Sequence, residues 1–184
     1  FMLNIKNLEK FTDQAQTSIK NVVREYCEHL FLASLYKQPG SEKLLFKGGT
    51  ALRTVFHSPR YSEDLDFTGV NIRHAEVENL FTDTLVSIEH AGIHVEVDES
   101  KPTTGGYIGI ATFHAYEQNI PVQIEVSLRS GKGSKGVRAL IENEYAIHFA
   151  QRGEPVRDGD DRFVAHKRLE RPLNCNFAFA VERC

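Results

Sequence analysis

The sequence predicts an α+β fold, a mixed sheet with helices packed on one of its faces. Two long stretches space their apolar residues as amphipathic helices do, and three later stretches alternate with the period of strands. Between them a glycine turn precedes a short segment with two alternating aspartates.

Taken in order, residues 7–36 carry Ile19, Val22, Val23, Tyr26, Leu30 and Phe31 at helical spacing and end near Pro39-Gly40, so a helix is expected there, broken near Thr12. Leu44-Leu45-Phe46 reads as a short buried strand and residues 51–56 as a helix, which puts Gly48-Gly49-Thr50 at a strand-to-helix junction. Asp64-Leu65-Asp66-Phe67 alternates as a strand. Residues 73–91 place Val77, Leu80, Phe81, Leu85 and Ile88 on one stripe, with Gly92 as the stop, so a second helix should cover the sheet. Strands are expected at 93–97, 107–114 and 120–128, joined by turns at Gly105-Gly106 and Glu117-Gln118-Asn119. The pattern weakens over 129–149 and is nearly lost afterwards, apart from alternation of Phe177, Phe179 and Val181. Two units follow: a core domain at 1–149 and a C-terminal segment at 150–184, a truncated or atypical remnant of a helical domain.

Composition narrows the class. A chain of 184 residues with 41% hydrophobic content can bury a core as one domain. Cys27, Cys175 and Cys184 form no CxxC pair or His/Cys cluster, which indicates neither a disulfide framework nor a zinc site. Seven of the eight histidines, His57, His74, His90, His94, His114, His148 and His166, show no spaced partners and receive no role. No apolar run approaches the roughly 20 residues that cross a bilayer, and the first residues lack a signal-peptide core, so a cytoplasmic protein without membrane partners is expected. A net charge of −3 argues against a globally basic nucleic-acid binder, leaving a local patch at Arg129, Lys132, Lys135 and Arg138, more simply a solvated linker.

The chemistry lies in residues 46–67. Asp64 and Asp66 on one strand face stand roughly 6.6 Å apart at their bases, while Leu65 and Phe67 bury on the other face. Two carboxylates without a full oxygen cage suit Mg²⁺ carried by a nucleotide, with Mn²⁺ as the alternative, better than a permanent Ca²⁺ loop. Upstream, glycines let backbone N–H groups approach phosphate oxygens at a helix start, and the Thr50 hydroxyl adds a donor. Lys47 can neutralise phosphate charge, and Ser62 and Arg60 flank the acidic strand. A third carboxylate is available independently. With Val122, Ile124, Val126 and Leu128 on one face of their strand, Glu125 is the acid on the other, with Asp98 and Glu96 as rivals.

Lys47-Gly48-Gly49-Thr50-Ala51-Leu52 followed by Arg60-Tyr61-Ser62-Glu63-Asp64-Leu65-Asp66-Phe67 resembles the AbiEii/AbiGii toxin family within the DNA polymerase β-like nucleotidyltransferases. The resemblance extends over roughly residues 1–130, with motif identity confined to 46–67. It implies a nucleotidyltransferase-type fold, triphosphate held at Gly49 and Thr50, metal at Asp64 and Asp66, and a third carboxylate from a later strand. It also implies transfer of a nucleoside monophosphate from an NTP by the toxin of a toxin–antitoxin or phage-defence pair. RNA, tRNA first, is the leading acceptor, a protein acceptor is the rival, and a cognate antitoxin is the expected partner. The family order of a downstream lysine before an Arg-Asp segment is inverted here: Arg157-Asp158 precedes Lys167, a weak candidate. The alternative is a non-catalytic nucleotide- or partner-binding remnant of the same fold.

Overall fold

The structure, a computed structural model, describes residues 5–56, 58–130, 137–142 and 174–179. Helices α1 (Ile5–Ala15) and α2 (Ile19–Leu35) open the chain. The helix break falls four residues after the expected Thr12, because Thr12 stays helical and its hydroxyl donates to the Leu8 carbonyl at 2.8 Å. The turn comes instead at Gln16, with φ of 48°, and Ser18 restarts the helix by accepting the Asn21 N–H on its hydroxyl.

Strand β1 (Leu44–Lys47) runs directly into α3 (Gly48–Phe56), so the glycines form the first turn of the helix rather than a loop before it. Then come β2 (Asp64–Val70), α4 (His74–His90), and three long strands, β3 (His94–Thr103), β4 (Gly106–Ala115) and β5 (Gln118–Arg129). The β4–β5 turn is two residues, Tyr116-Glu117, both at positive φ, the conformation that matches the twist of a tight hairpin. Expected strands are lengthened because each hairpin pairs almost to its turn.

The sheet order is β3-β4-β5-β2-β1, continued by the backbone of β7 (Asn174–Phe179) and β6 (Val137–Glu142). The sheet is mixed: β2 lies parallel to β5 and antiparallel to β1, while β3, β4 and β5 are antiparallel neighbours. The boundary expected near 149 falls outside the described residues, as do Arg157, Asp158 and Lys167 and the loop lysines Lys132 and Lys135. Of the C-terminal segment, β7 lies beside β1, where Phe179 pairs with Phe46.

One face of the sheet is the core. Leu65 and Phe67 of β2, Val122, Ile124 and Val126 of β5, and Phe113 of β4 are buried there against α2 and the expected α4 stripe. Phe46 and Phe67 pack with ring centroids 5.3 Å apart directly beneath the aspartate strand. Truncating Phe67 would cost about 3–5 kcal/mol, so the site rests on a rigid layer. The opposite face bears Asp64, Asp66, Gln123 and Glu125, which among the described residues are exposed or half-exposed.

Candidate active site

Register decides which acids meet. In the parallel β2–β5 pair Asp66 stands opposite Glu125 and Asp64 opposite Gln123. Side chains of paired residues share a face, so three carboxylates gather on two adjacent strands. The rivals sit elsewhere: Asp98 and Glu96 are on β3, with β4 and β5 between them and β2, and Asp98 accepts the Thr112 hydroxyl at 2.7 Å. Gln123 donates its amide to Glu125 Oε1 at 2.6 Å, a bond in which Oε2 takes no part.

The electrostatics carry the mark of this crowding. Burial pushes the Asp66 carboxyl above its usual range, and repulsion from Glu125 and Asp64 pushes it further, with Lys47 pulling back. Asp64 is raised by burial, then by Glu125 and Glu63, with Arg24 opposing. Lys47 pairs with Asp66 across β1 and β2. All donors are hard oxygens whose mutual repulsion a divalent cation would relieve, so the residues fit Mg²⁺.

The glycine turn is built against these acids. Gly48 has φ of +79°, and a Cβ there would fall on the Asp66 carboxylate. A Cβ on Gly49 would lie 2.7 Å from the Ser62 hydroxyl. Aspartate, glycine turn and Ser62 therefore touch one small volume at the start of α3, where the first-turn N–H groups have no intrahelical acceptor and attract anions. The Thr50 hydroxyl, expected as a phosphate donor, has a partner within the chain. It is buried and donates to the Asp64 carbonyl at 2.6 Å, pinning α3 to the aspartate strand.

Behind the site lies a buried ionic network that the sequence reading missed. Arg53 of α3 grips Glu25 of α2 with both Nε and Nη2, at 2.6 and 3.1 Å. Its guanidinium lies 3.5 Å over the Tyr61 ring, and Nη1 donates to the Ser58 and Pro59 carbonyls. Arg24 reaches Glu63 at 2.8 Å. Glu28 is 2% exposed with Oε1 unpaired, and burial, reinforced by Glu25, raises its carboxyl well above the usual range despite Arg24 and Arg53. The stretch from Val22 to His29 is buried throughout in the structure, so Arg24, Glu25 and Glu28 face the interior, and no local sequence pattern signals it.

The histidines also need correction. His94 and His114 lie directly opposite each other on β3 and β4 with stacked rings 4.9 Å apart. Among the described residues, the group of three metal-ligand side chains that closes to within 4.8 Å is His94, Glu96 and His114.

An open sheet face with carboxylates on neighbouring strands beside a helix N-terminus defines a nucleotidyltransferase-type core. The family model for the nucleotidyl transferase AbiEii toxin of type IV toxin–antitoxin systems matches residues 30–154, and the chain belongs to that family. Solved structures similar to it include JHP933 from Helicobacter pylori, at 22% identity and a TM-score of 0.48, with 65% of this chain and 49% of that one covered. A second H. pylori chain, assigned provisionally as a nucleotidyltransferase, is 21% identical with a TM-score of 0.49, covering 65% and 51%. The chain spans about half the length of these two structures. No curated protein matches it.

Proposed function

We propose that the chain transfers a nucleoside monophosphate from an NTP to an acceptor hydroxyl, with Mg²⁺ as the working metal and Mn²⁺ as the substitute. The observation that carries this reading is the pairing of Asp66 with Glu125 across β2 and β5, with Asp64 two residues away on the same strand and Gly48 packed against Asp66. When bound, Mg²⁺ supplies charge neutralisation and orientation of the phosphates. Asp64, Asp66 and Glu125 hold it. Gly48 and Gly49, with Lys47 and Ser62 beside them, receive the triphosphate, and Thr50 positions the turn. Glu125 accepts the acceptor's proton on Oε2 as the new O–Pα bond forms, and the Pα–O–Pβ bond breaks to release pyrophosphate.

Family membership supports the role of a toxin paired with a cognate antitoxin, acting in the cytoplasm, and tRNA is the leading acceptor with protein as the rival. Incubating the full chain with each labelled NTP, Mg²⁺, and total RNA or cell lysate separates the readings. Label should enter one acceptor class and vanish in Asp64→Asn and Asp66→Asn, by about a thousandfold for a lost charge-stabilising group. NTP binding without any transfer, or transfer unchanged in both variants, would defeat the proposal.

A further inference from the structure

We propose that His94, Glu96 and His114 form a second, independent metal site, selective for a borderline divalent ion of the Zn²⁺ class. His94 and Glu96 are two residues apart on β3 and so project from the same face, and His114 stands opposite His94 on β4. Their ligand atoms lie within 4.8 Å of one another on side chains that are exposed or half-exposed, so modest rotation closes them to the spacing of about 3.3 Å that tetrahedral Zn–N and Zn–O bonds require. Glu96 already bridges the two rings, with Oε1 3.5 Å from His94 Nε2 and Oε2 3.5 Å from His114 Nε2.

The orientation of the rings is what raises this above an exposed charged pair. His114 Nδ1 donates to Asn119 Oδ1 at 2.9 Å, and His94 Nδ1 faces Glu89 Oε1 at 3.4 Å. Each ring thus has an acceptor behind Nδ1 and turns Nε2 toward the same point. Ligating histidines are held in this way, their outer nitrogen fixed by a carboxylate or carbonyl so that the inner one presents its lone pair. His114 Nε2 is moreover shielded from solvent and makes no hydrogen bond, its neighbour being the Glu96 carboxylate at 3.5 Å. Two imidazoles and one carboxylate select Zn²⁺, Ni²⁺ or Cu²⁺ over Mg²⁺, and three protein ligands leave one position open.

The site is separate from the carboxylate cluster. Both lie on the open sheet face, but Asn119, the partner of His114, and Glu125 are separated along β5 by about 20 Å. A bound ion would clip the edge strand β3 to β4 where the sheet is otherwise open to pairing.

The test is Zn²⁺ titration of the chelator-stripped full chain by calorimetry, with Co²⁺ as a spectroscopic probe. Saturable binding that His94→Gln and Glu96→Gln each weaken at least tenfold is expected, with Co²⁺ giving a visible band characteristic of low coordination number. Asn119→Ala should weaken binding about tenfold through His114 orientation alone. Asp66→Asn should leave it unchanged. His94 and Glu96 are exposed, so these variants keep the test valid even where His114→Gln fails to fold. Absence of saturable Zn²⁺ binding would overturn the site. So would binding retained in His94→Gln and Glu96→Gln, or binding lost in Asp66→Asn, which would move the ion to the carboxylate cluster.

Discussion

Two groups of acids sit side by side in this molecule and are treated in opposite ways. Beneath the site, Glu25 and Arg53 answer each other through two hydrogen bonds, and Arg24 meets Glu63. On the open face burial, and then the neighbouring Glu125, raise the proton affinity of Asp64 and Asp66, with Arg24 and Lys47 only partly opposing them. The first group closes its charge within the chain and locks α2, α3 and the approach to β2. The second leaves its charge to be closed from outside, and that deficit is what a nucleotide-borne cation would fill. The difference teaches that the number of acids says little about a site, whereas the location of their counter-charge says much.

The largest expected effect comes from turning the first group into a copy of the second. Arg53→Ala leaves Glu25 buried without its partner, loses the stacking on Tyr61 and frees the Ser58 and Pro59 carbonyls. A cost of about 3–5 kcal/mol is expected in urea unfolding. The double replacement Arg53→Met with Glu25→Met should recover most of it, because neither charge is then stranded. Asp66→Asn should move stability the other way, upward or not at all, since it removes a repelling charge. Equal destabilisation by Arg53→Ala and Asp66→Asn would erase the distinction between the two groups.

How much of this was legible follows from what each feature needs. Asp64, Asp66 and the Val122, Ile124 and Val126 stripe need only local alternation, and the α4 stripe ending at Gly92 needs only helical spacing, so the sequence expectation and the structure agree there. Family motifs added the glycine turn. The His94–His114 pair was invisible because it depends on β3–β4 register, which no local pattern specifies when both residues face solvent. The α2 network was invisible for a different reason: Arg24, Glu25 and Glu28 look like a wet helical stripe until α3 and Tyr61 are known to cover them. The role of the Thr50 hydroxyl likewise depended on a partner fourteen residues away, the Asp64 carbonyl.

A smaller effect sharpens the boundary between the groups at the glycine turn. Gly49→Val places a branched side chain against Ser62, 2.7 Å from its hydroxyl, in the space that the phosphates would share with the turn. It should weaken NTP binding by more than Thr50→Ala, whose lost hydrogen bond to Asp64 is worth about 0.5–1.5 kcal/mol and acts on stability before binding. Equilibrium binding of a non-hydrolysable NTP in the two variants checks the order. Unchanged affinity in Gly49→Val would place the phosphates away from the turn.

The smallest effect, and the one that separates the groups most cleanly, is the dependence of stability on pH. Glu28, Asp64 and Asp66 all hold their protons more tightly folded than unfolded. For such groups the folded state binds more protons, so their contribution is most favourable at low pH and stability declines as pH rises past about 4, where unfolded carboxylates ionise, until the raised folded values are passed. The decline has two sources. Asp64 and Asp66 lose theirs when Mg²⁺ supplies the missing counter-charge, whereas Glu28 is sealed beneath the site and has no access to the ion. Unfolding midpoints measured across the acid range should therefore show a slope that saturating Mg²⁺ reduces and Glu28→Gln reduces further. Should Mg²⁺ leave the slope untouched while Glu28→Gln abolishes it, the open carboxylates would not be the place where this protein gathers its cation.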